Sequence, residues 1–239
     1  MSILITICAR GGSKGVAGKN IKEVQGVPLL AYSIKQAQRF AESTDADITL
    51  STDSDEIKAI AAEHGLYSDY VRSAELANDT TGKIAVMKDV LLYEEQKSGK
   101  TYDYLLDLDV TSPLRTMEDL QQGLAMMEKD TNALNLFSVN PAYRSPYYNM
   151  VEQHEDGYYR LSKKPAKPIL SRQESPKVYH LNASFYFFRR AFFDEGHTTP
   201  ITDRSLVYIM PHKCFDLDDA LDFDFLEFLL EQNKLDFEL

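Results

Sequence analysis

At 239 residues the chain fits one compact domain with room for a small inserted lobe, and 44% hydrophobic with 26% charged residues excludes disorder, collagen-like repeats and a disulfide scaffold. A formal charge of -11 argues against a nucleic-acid backbone as partner, and two cysteines, Cys8 and Cys214, are too few for a zinc cluster. No apolar run reaches the roughly 18 residues of a membrane span and the opening MSILITICARGG lacks a basic leader, so a soluble, cytoplasmic protein without membrane contact is expected.

Residues 3–9 form an apolar run of strand length that stops at Arg10-Gly11-Gly12-Ser13-Lys14-Gly15, where helix and strand are both disfavoured. From Pro28, the residues Leu29, Leu30, Ile34 and Ala37 have helical spacing, with the proline placed for a first turn. Residues 47–52 read as a strand, 54–64 as a helix opened by a Ser/Asp cluster, and 82–95 as a further helix. Residues 102–109 read as a mostly buried strand that ends at Thr111-Ser112-Pro113-Leu114-Arg115. Thr116 then caps a helix with Asp119 three residues on, and 132–139 is the next strand. After Pro141 the pattern changes: 147–151 and 158–161 flank Glu155-Asp156-Gly157 and predict a hairpin. Residues 178–188 and 206–210 return to strand-like sequence, and 220–231 predicts a closing helix.

Strands alternating with helices imply right-handed parallel crossovers, hence an α/β, Rossmann-like three-layer sandwich with a mostly parallel sheet. The expected organisation is one domain over 1–239 with 141–176 inserted. Ligands of such sheets sit at the carboxyl ends of the strands, so loops 9–22, 72–83 and 109–116 should meet at the site.

The charge is uneven. Residues 1–22 hold Arg10, Lys14, Lys19 and Lys22 without an acid, whereas 216–239 hold nine acids and one lysine. A second basic stretch, Arg160 to Lys177, is broken by three prolines and suits either a small anionic ligand or a solvated loop. In the glycine loop, backbone amides can approach an anion, Ser13 adds a hydroxyl donor, and Arg10 and Lys19 can neutralise phosphate. It is neither a Walker A nor a dinucleotide fingerprint. Asp216 and Asp218, two apart in extended backbone, project to one side and could share a cation such as magnesium. Helix capping is the alternative, although Asp219 with Asp222 already supplies a capping pair. Arg72 and Lys83 bracket a polar loop leading into a helix N-terminus. Arg172, Gln173, Asn182 and Tyr186 mix charge, amide and phenol, chemistry suited to a carboxylated, hydroxyl-rich ligand. Tyr143, Tyr147, Tyr148, Tyr158 and Tyr159 cluster in the inserted segment, as packing or a subunit contact. The five histidines show no ligand spacing.

The sequence resembles the acylneuraminate cytidylyltransferases, the CMP-sialic acid synthetase family. The pieces are Ala9 to Gly15 with Lys19-Asn20, Ser51-Thr52-Asp53, Arg72 with Glu75-Leu76-Ala77 and Asp79-Thr80, Thr111 to Thr116, Arg172-Gln173, Asn182 through Tyr186, and Asp216-Leu217-Asp218. They span nearly the whole chain in order. The resemblance implies an enzyme joining CTP to a 2-keto sugar acid with release of pyrophosphate, using magnesium and acting as a homodimer built on the inserted segment. It implies Arg10, Gly11, Gly12, Ser13, Lys19 and Asn20 for the triphosphate, with Arg10 and Lys19 as catalytic charges. Arg72, Gly82 and Lys83 fall on the rest of CTP, Asp216 and Asp218 on the metal. Asp109, Ser112, Arg172, Gln173, Asn182 and Tyr186 fall on the sugar acid. Three positions depart from the family pattern: Asp109 replaces a glutamine, Lys83 a hydroxyl residue, and Tyr148 a lysine reaching the sugar from the partner subunit. They shift the expected acceptor from ordinary sialic acid toward the nonulosonic acids legionaminic or pseudaminic acid. Asp109 then pairs with a cation or accepts from sugar hydroxyl or amide groups. A cytidylyltransferase for a 3-deoxy-octulosonate or another sugar, and a noncatalytic nucleotide-binding protein, are the rival readings.

Overall fold

The computed structural model describes every residue of the chain except Ser13, Lys14 and Asp79. In order, the elements are β1 (Ile3–Cys8), β2 (Glu23–Val24), β3 (Val27–Pro28), α1 (Leu29–Thr44), β4 (Asp47–Ser51), α2 (Asp55–Glu63), α3 (Lys83–Ser98), β5 (Tyr104–Leu108), α4 (Met117–Lys129), β6 (Asn135–Pro141), β7 (Val151–Gln153), β8 (Tyr159–Leu161), β9 (Tyr179–Arg189), α5 (Arg190–Asp194), β10 (Ser205–Ile209) and α6 (Ala220–Glu231). They divide into two units, 1–138 with 182–239, and 139–181.

The larger unit is built on a sheet of order β10-β6-β9-β5-β1-β4. Successive side chains of a strand face opposite ways, and β1 shows what that does here. Ile3, Ile5 and Ile7 join Leu29, Leu30, Ile34 and Phe40 of α1 in one core, while Leu4 joins Ile84, Met87 and Leu91 of α3 in another. Helices therefore cover both faces, the expected three layers. β1 is parallel to β4 and to β5, as right-handed crossovers require. The sheet is mostly parallel, as expected, with β9 running antiparallel to β5. The Arg189 amide donates to Leu134 O and the Phe185 amide to Ser138 Oγ, so β6 runs against β9 and shares the direction of β5.

Helix ends follow the local chemistry. Ser54 Oγ accepts from the Ile57 amide at the start of α2, and Thr116 with Asp119 forms a capping box on α4. Asp219 and Asp222 form a second capping box on α6, which leaves the carboxylates of Asp216 and Asp218 outside the capping scheme.

The 139–181 unit is different in kind. It holds the β7–β8 hairpin, in register Val151↔Leu161, Glu152↔Arg160 and Gln153↔Tyr159, closed by a turn with Gly157 at φ 81. The first arm starts at Val151, later than the expected 147–151. The amides of Tyr148, Asn149 and Met150 all donate to Ser145 O, which winds that stretch into a turn.

Candidate active site

The carboxyl ends of β1 and β5 are neighbours at the point where the connection after β1 leads toward β4 and that after β5 toward β6. This is the topological switch at which open α/β sheets bind ligands. A cleft of about 490 Å³ opens there, lined by residues of all three expected loops (Arg10, Gly15, Lys19 and Asn20; Arg72, Asn78, Thr81 and Lys83; Asp109 and Thr111) together with Cys8 and Asp218.

The loop after β1 is pinned from both sides. The Ala9 amide donates to Ser51 O at 3.0 Å, the Gly11 amide to Asp53 Oδ1 at 2.9 Å, and Asn20 Nδ2 to Arg10 O at 3.0 Å. Gly18, at φ 63, turns the chain into the short 3-10 helix Lys19–Ile21. A Cβ on Gly15 would lie 2.6 Å from Asp218 O, so only glycine lets this loop approach the 216–218 segment. Lys19 reaches Asp218 Oδ1 at 3.2 Å across that junction. Gly11 and Gly12 are exposed and do not line the cleft, and Ser13 lies outside the described residues.

Arg72 is buried, its Nε donating to Ser51 Oγ at 3.0 Å and its Nη2 to Ser51 O at 2.7 Å, so β4 presents it to the cleft as a fixed charge. Gly82 is the N-cap of α3 and Lys83 its first residue. Lys83 Nζ lies 2.6 Å from Asp109 Oδ2 and also 2.6 Å from Asp107 Oδ2. Asp109 Oδ1 accepts from the Thr111 amide and hydroxyl, both at 2.9 Å. Of the two fates open to Asp109, pairing with a cation is the one the structure displays. Burial opposes ionisation of Asp109, but Lys83 and Thr111 outweigh it and hold the carboxyl below its usual range. Burial likewise opposes the charge of Lys83, yet Asp107 and Asp109 hold its ammonium well above the ordinary lysine range. Burial and then Asp107 push the Cys8 thiol up to about 12, which keeps it protonated and unfit as a nucleophile.

Asp216 is only partly compensated. Its Oδ1 is buried with no hydrogen-bond donor, and burial pushes its carboxyl up to about 6, with Asp109 and Asp218 adding to the rise against Thr111 and Lys19. An orphaned carboxylate oxygen two residues from the exposed Asp218 is a donor set that fits a hard cation such as magnesium. No set of three or more His, Cys, Asp or Glu converges on one point among the described residues, so phosphate and water oxygens would supply the remaining ligands.

The residues expected at the sugar belong to different elements. Tyr186 stands opposite Asp107 in the β5–β9 register, with Lys83 Nζ 5.8 Å from its ring centre. Ser112 and Asn182 brace the site instead of lining it. Ser112 Oγ is fully buried and donates to Asn182 O at 2.6 Å, while Asn182 Oδ1 accepts from Ser138 Oγ at 2.6 Å. Arg172 and Gln173 are exposed on the 139–181 unit, Arg172 Nη2 donating to Ala142 O.

Two residues of the site's frame escaped the sequence reading. Asp107 is fully buried and accepts from Thr6 Oγ1 at 3.0 Å. Arg115, 1% exposed, donates to Asp109 O, Ser112 O and Ser184 O and to Ser33 Oγ, locking the turn that carries Asp109. The signal for Asp107 was an acid inside an apolar run; for Arg115 there was none beyond its motif.

Residues 4–238 match the family model described as Cytidylyltransferase. The chain is 39% identical over 233 residues to the CMP-N,N'-diacetyllegionaminic acid synthase of Campylobacter jejuni, and equally to post-translational flagellin modification protein B of Campylobacter coli. Each match covers 98% of this chain and 97% of that protein. In fold it is similar to a CMP:2-keto-3-deoxy-manno-octonic acid synthetase complexed with CTP, with a TM-score of 0.70 at 15% identity over 98% of this chain and 100% of that one. A match that runs from the second residue of β1 to the penultimate residue of the chain settles the relationship: the protein belongs to the cytidylyltransferase family.

Proposed function

We propose that the protein transfers CMP from CTP to the anomeric hydroxyl of a nonulosonic acid, releasing pyrophosphate, and prefers legionaminic to ordinary sialic acid. The observation that carries the reading is the cleft itself. Arg10, Lys19, Arg72 and Lys83 gather at the ends of β1 and β5, and Asp216, which interacts with Lys19 and Asp109, keeps one buried carboxylate oxygen without a hydrogen-bond partner. Phosphoryl transfer of this kind asks little covalent chemistry of a protein. The acceptor oxygen bonds to the α-phosphorus, the bond from that phosphorus to the bridging oxygen breaks, pyrophosphate departs with the electron pair, and the hydroxyl proton passes to water. What the residues supply is position and charge. Arg10 and Lys19 neutralise the triphosphate from the loop after β1, Asn20 holds that loop in shape, and Arg72 presents a charge that cannot swing away. Asp216 and Asp218 are the residues that would hold magnesium, whose chemistry is charge neutralisation on the phosphoryl oxygens.

The acceptor class rests on the relatives at 39% identity, one of which is named for diacetyllegionaminic acid. The contact of Asp109 with Lys83 supports it, because the two departures from the sialate pattern meet in one ion-paired group, shared with Asp107, whose ammonium a sugar acid can lie against. A homodimer is part of the reading as well. Between 140 and 181 no hydrophobic residue is buried, and Tyr143, Met150, Val151, Tyr158, Tyr159 and Leu170 are exposed, a surface that a second copy would cover.

Pyrophosphate release decides between the readings when CTP is offered with legionaminic, pseudaminic, sialic and 3-deoxy-octulosonic acids. Turnover is expected with CTP and a nine-carbon acid, fastest with legionaminic acid. Turnover with the octulosonic acid alone would transfer the protein to that acceptor, and CTP binding without pyrophosphate release would make it a nucleotide-binding protein.

A further inference from the structure

Three features at one point of the cleft each break a rule of stable folding. Lys83 opens α3, where the helix dipole disfavours a cation. Asp107 lies near the carboxyl end of β5, between Leu106 and Leu108, with no exposure at all. Thr6, its neighbour across the β1–β5 pairing, is a buried hydroxyl in an otherwise apolar strand. Each is tolerable only through the others: Thr6 Oγ1 donates to Asp107 Oδ1 at 3.0 Å, and Lys83 Nζ meets Asp107 Oδ2 at 2.6 Å. Apolar residues at these three positions would pack at least as stably, since a buried ion pair seldom outperforms its hydrophobic replacement. Local rules broken together at a strand's carboxyl end are a mark of function.

The geometry also has a direction. Asp107 sits below, on the sheet. Asp109 sits beside, on the turn locked by Arg115. Lys83 keeps 33% of its side chain exposed and lines the cleft. Two carboxylates hold one ammonium from two sides and leave its remaining side toward the ligand.

We propose that Asp107 is a positioning residue, a buried carboxylate that, with Thr6 behind it, fixes the Lys83 ammonium in the cleft as a contact for an anionic oxygen of the substrates. The proposal rests on the cytidylyltransferase reading above. Two oxygens have the right chemistry, a phosphate of CTP and the carboxylate of the sugar acid, and the experiment separates them.

Four variants carry the test: Asp107→Asn, Lys83→Met, Lys83→Arg and the double variant Asp107→Asn/Lys83→Met. Calorimetric titration with CTP gives one arm, and KM for the sugar acid at saturating CTP the other. In Asp107→Asn one of the two constants rises roughly tenfold while kcat stays within about threefold, as loss of binding common to ground and transition states requires. Lys83→Met shows the same rise in the same arm, Lys83→Arg restores most of it, and the double variant is no worse than Lys83→Met, because Asp107 acts only through Lys83. A rise in the CTP arm assigns the contact to phosphate, a rise in the KM arm to the carboxylate. The proposal is overturned if both constants stay within about twofold of the parent in Asp107→Asn, or if the defects of the two single variants multiply in the double. Should Asp107→Asn fold poorly, Thr6→Val is its replacement, with the same arm moving by a smaller factor. A parent that releases no pyrophosphate with any acid overturns the functional reading alone, and the CTP arm still decides whether Asp107 works through Lys83.

Discussion

The floor and the rim of the cleft each hold a lysine facing an aspartate, and the two pairs do different work. At the rim Lys19 meets Asp218 at 3.2 Å, with Asp218 76% exposed. Water screens such a contact, and breaking it costs the fold little. At the floor Lys83 meets Asp107 at 2.6 Å, with Asp107 at 0% exposure. There the carboxylate of Asp107 has no solvent to fall back on if its lysine is removed. Both lysines line the cleft, and burial of the acid decides how much the fold loses when a pair is broken: the floor pair is a structural commitment as well as a charge for a ligand, the rim pair only the latter.

The sharpest way to break this comparison is to remove one lysine at a time. Lys83→Met leaves Asp107 buried with only Thr6, and stability measured by denaturant titration should fall by about 3–5 kcal/mol. Neutralising the acid as well, in Asp107→Asn/Lys83→Met, should recover a good part of that loss. If Lys83→Met unfolds at the parental denaturant concentration, the floor pair is no more than a surface contact. Lys19→Ala should do the reverse, with stability near parental and turnover lowered by the equivalent of about 2.7–4 kcal/mol, a hundredfold or more. Near-parental turnover at saturating CTP would remove Lys19 from the triphosphate site.

Asp216 sharpens the contrast, since it is a half-buried acid for which neither lysine is a direct partner. Without metal its ionised form is a cost, so Asp216→Asn should melt higher than the parent at pH 7 in EDTA. Magnesium should raise the melting temperature of the parent and leave the variant nearly unmoved, because a ligand that binds only the folded state stabilises it by mass action. An equal magnesium response in both proteins would show that Asp216 holds no cation.

How much of this was legible in the sequence depends on whether a feature is local. The apolar runs of β1 and β5, the capping pairs Thr116–Asp119 and Asp219–Asp222, and the three loops that meet at the cleft all announce themselves within a few residues. Lys83–Asp107 does not, because the crossover from α3 to β5 brings Lys83 onto an acid that the sequence showed only as one residue of a buried strand. Family resemblance places Ser112 and Asn182 at the sugar. Both are buried, the Ser112 hydroxyl consumed in tying its turn to Asn182 O of β9 and the Asn182 side chain in accepting from Ser138 of β6. The late start of β7 has a local cause, three amides converging on Ser145 O, that no hydrophobic pattern records.

The smallest expected effect lies away from the cleft and tests whether burial has the same meaning elsewhere. His212 Nε2 lies 2.8 Å from Asp119 Oδ2, its ring is 4.2 Å from that of Phe237, and Asp119 also accepts from Tyr208 Oη and caps α4. Burial alone would lower the imidazole, but the bond to Asp119 outweighs it and raises His212 above its usual range; the same bond, with those from Thr116, lowers Asp119 against the effect of burial. The signs fix the window. A base raised on folding adds stability that is whole below its unfolded value of about 6.5 and fades as pH climbs through the raised folded value. An acid lowered on folding adds stability that is present above about 3.9 and fades as pH falls through the lowered one. The pair therefore contributes most between about pH 4 and 6.5 and loses its histidine share on the alkaline side. Denaturant midpoints measured from pH 5 to 8.5 should decline for the parent on that side and decline less for His212→Gln, which keeps a hydrogen bond to Asp119 without a titrating proton. Parallel curves for the two proteins would mean that His212 is neutral in the fold, and that this buried contact, unlike the one under Lys83, is an ordinary hydrogen bond.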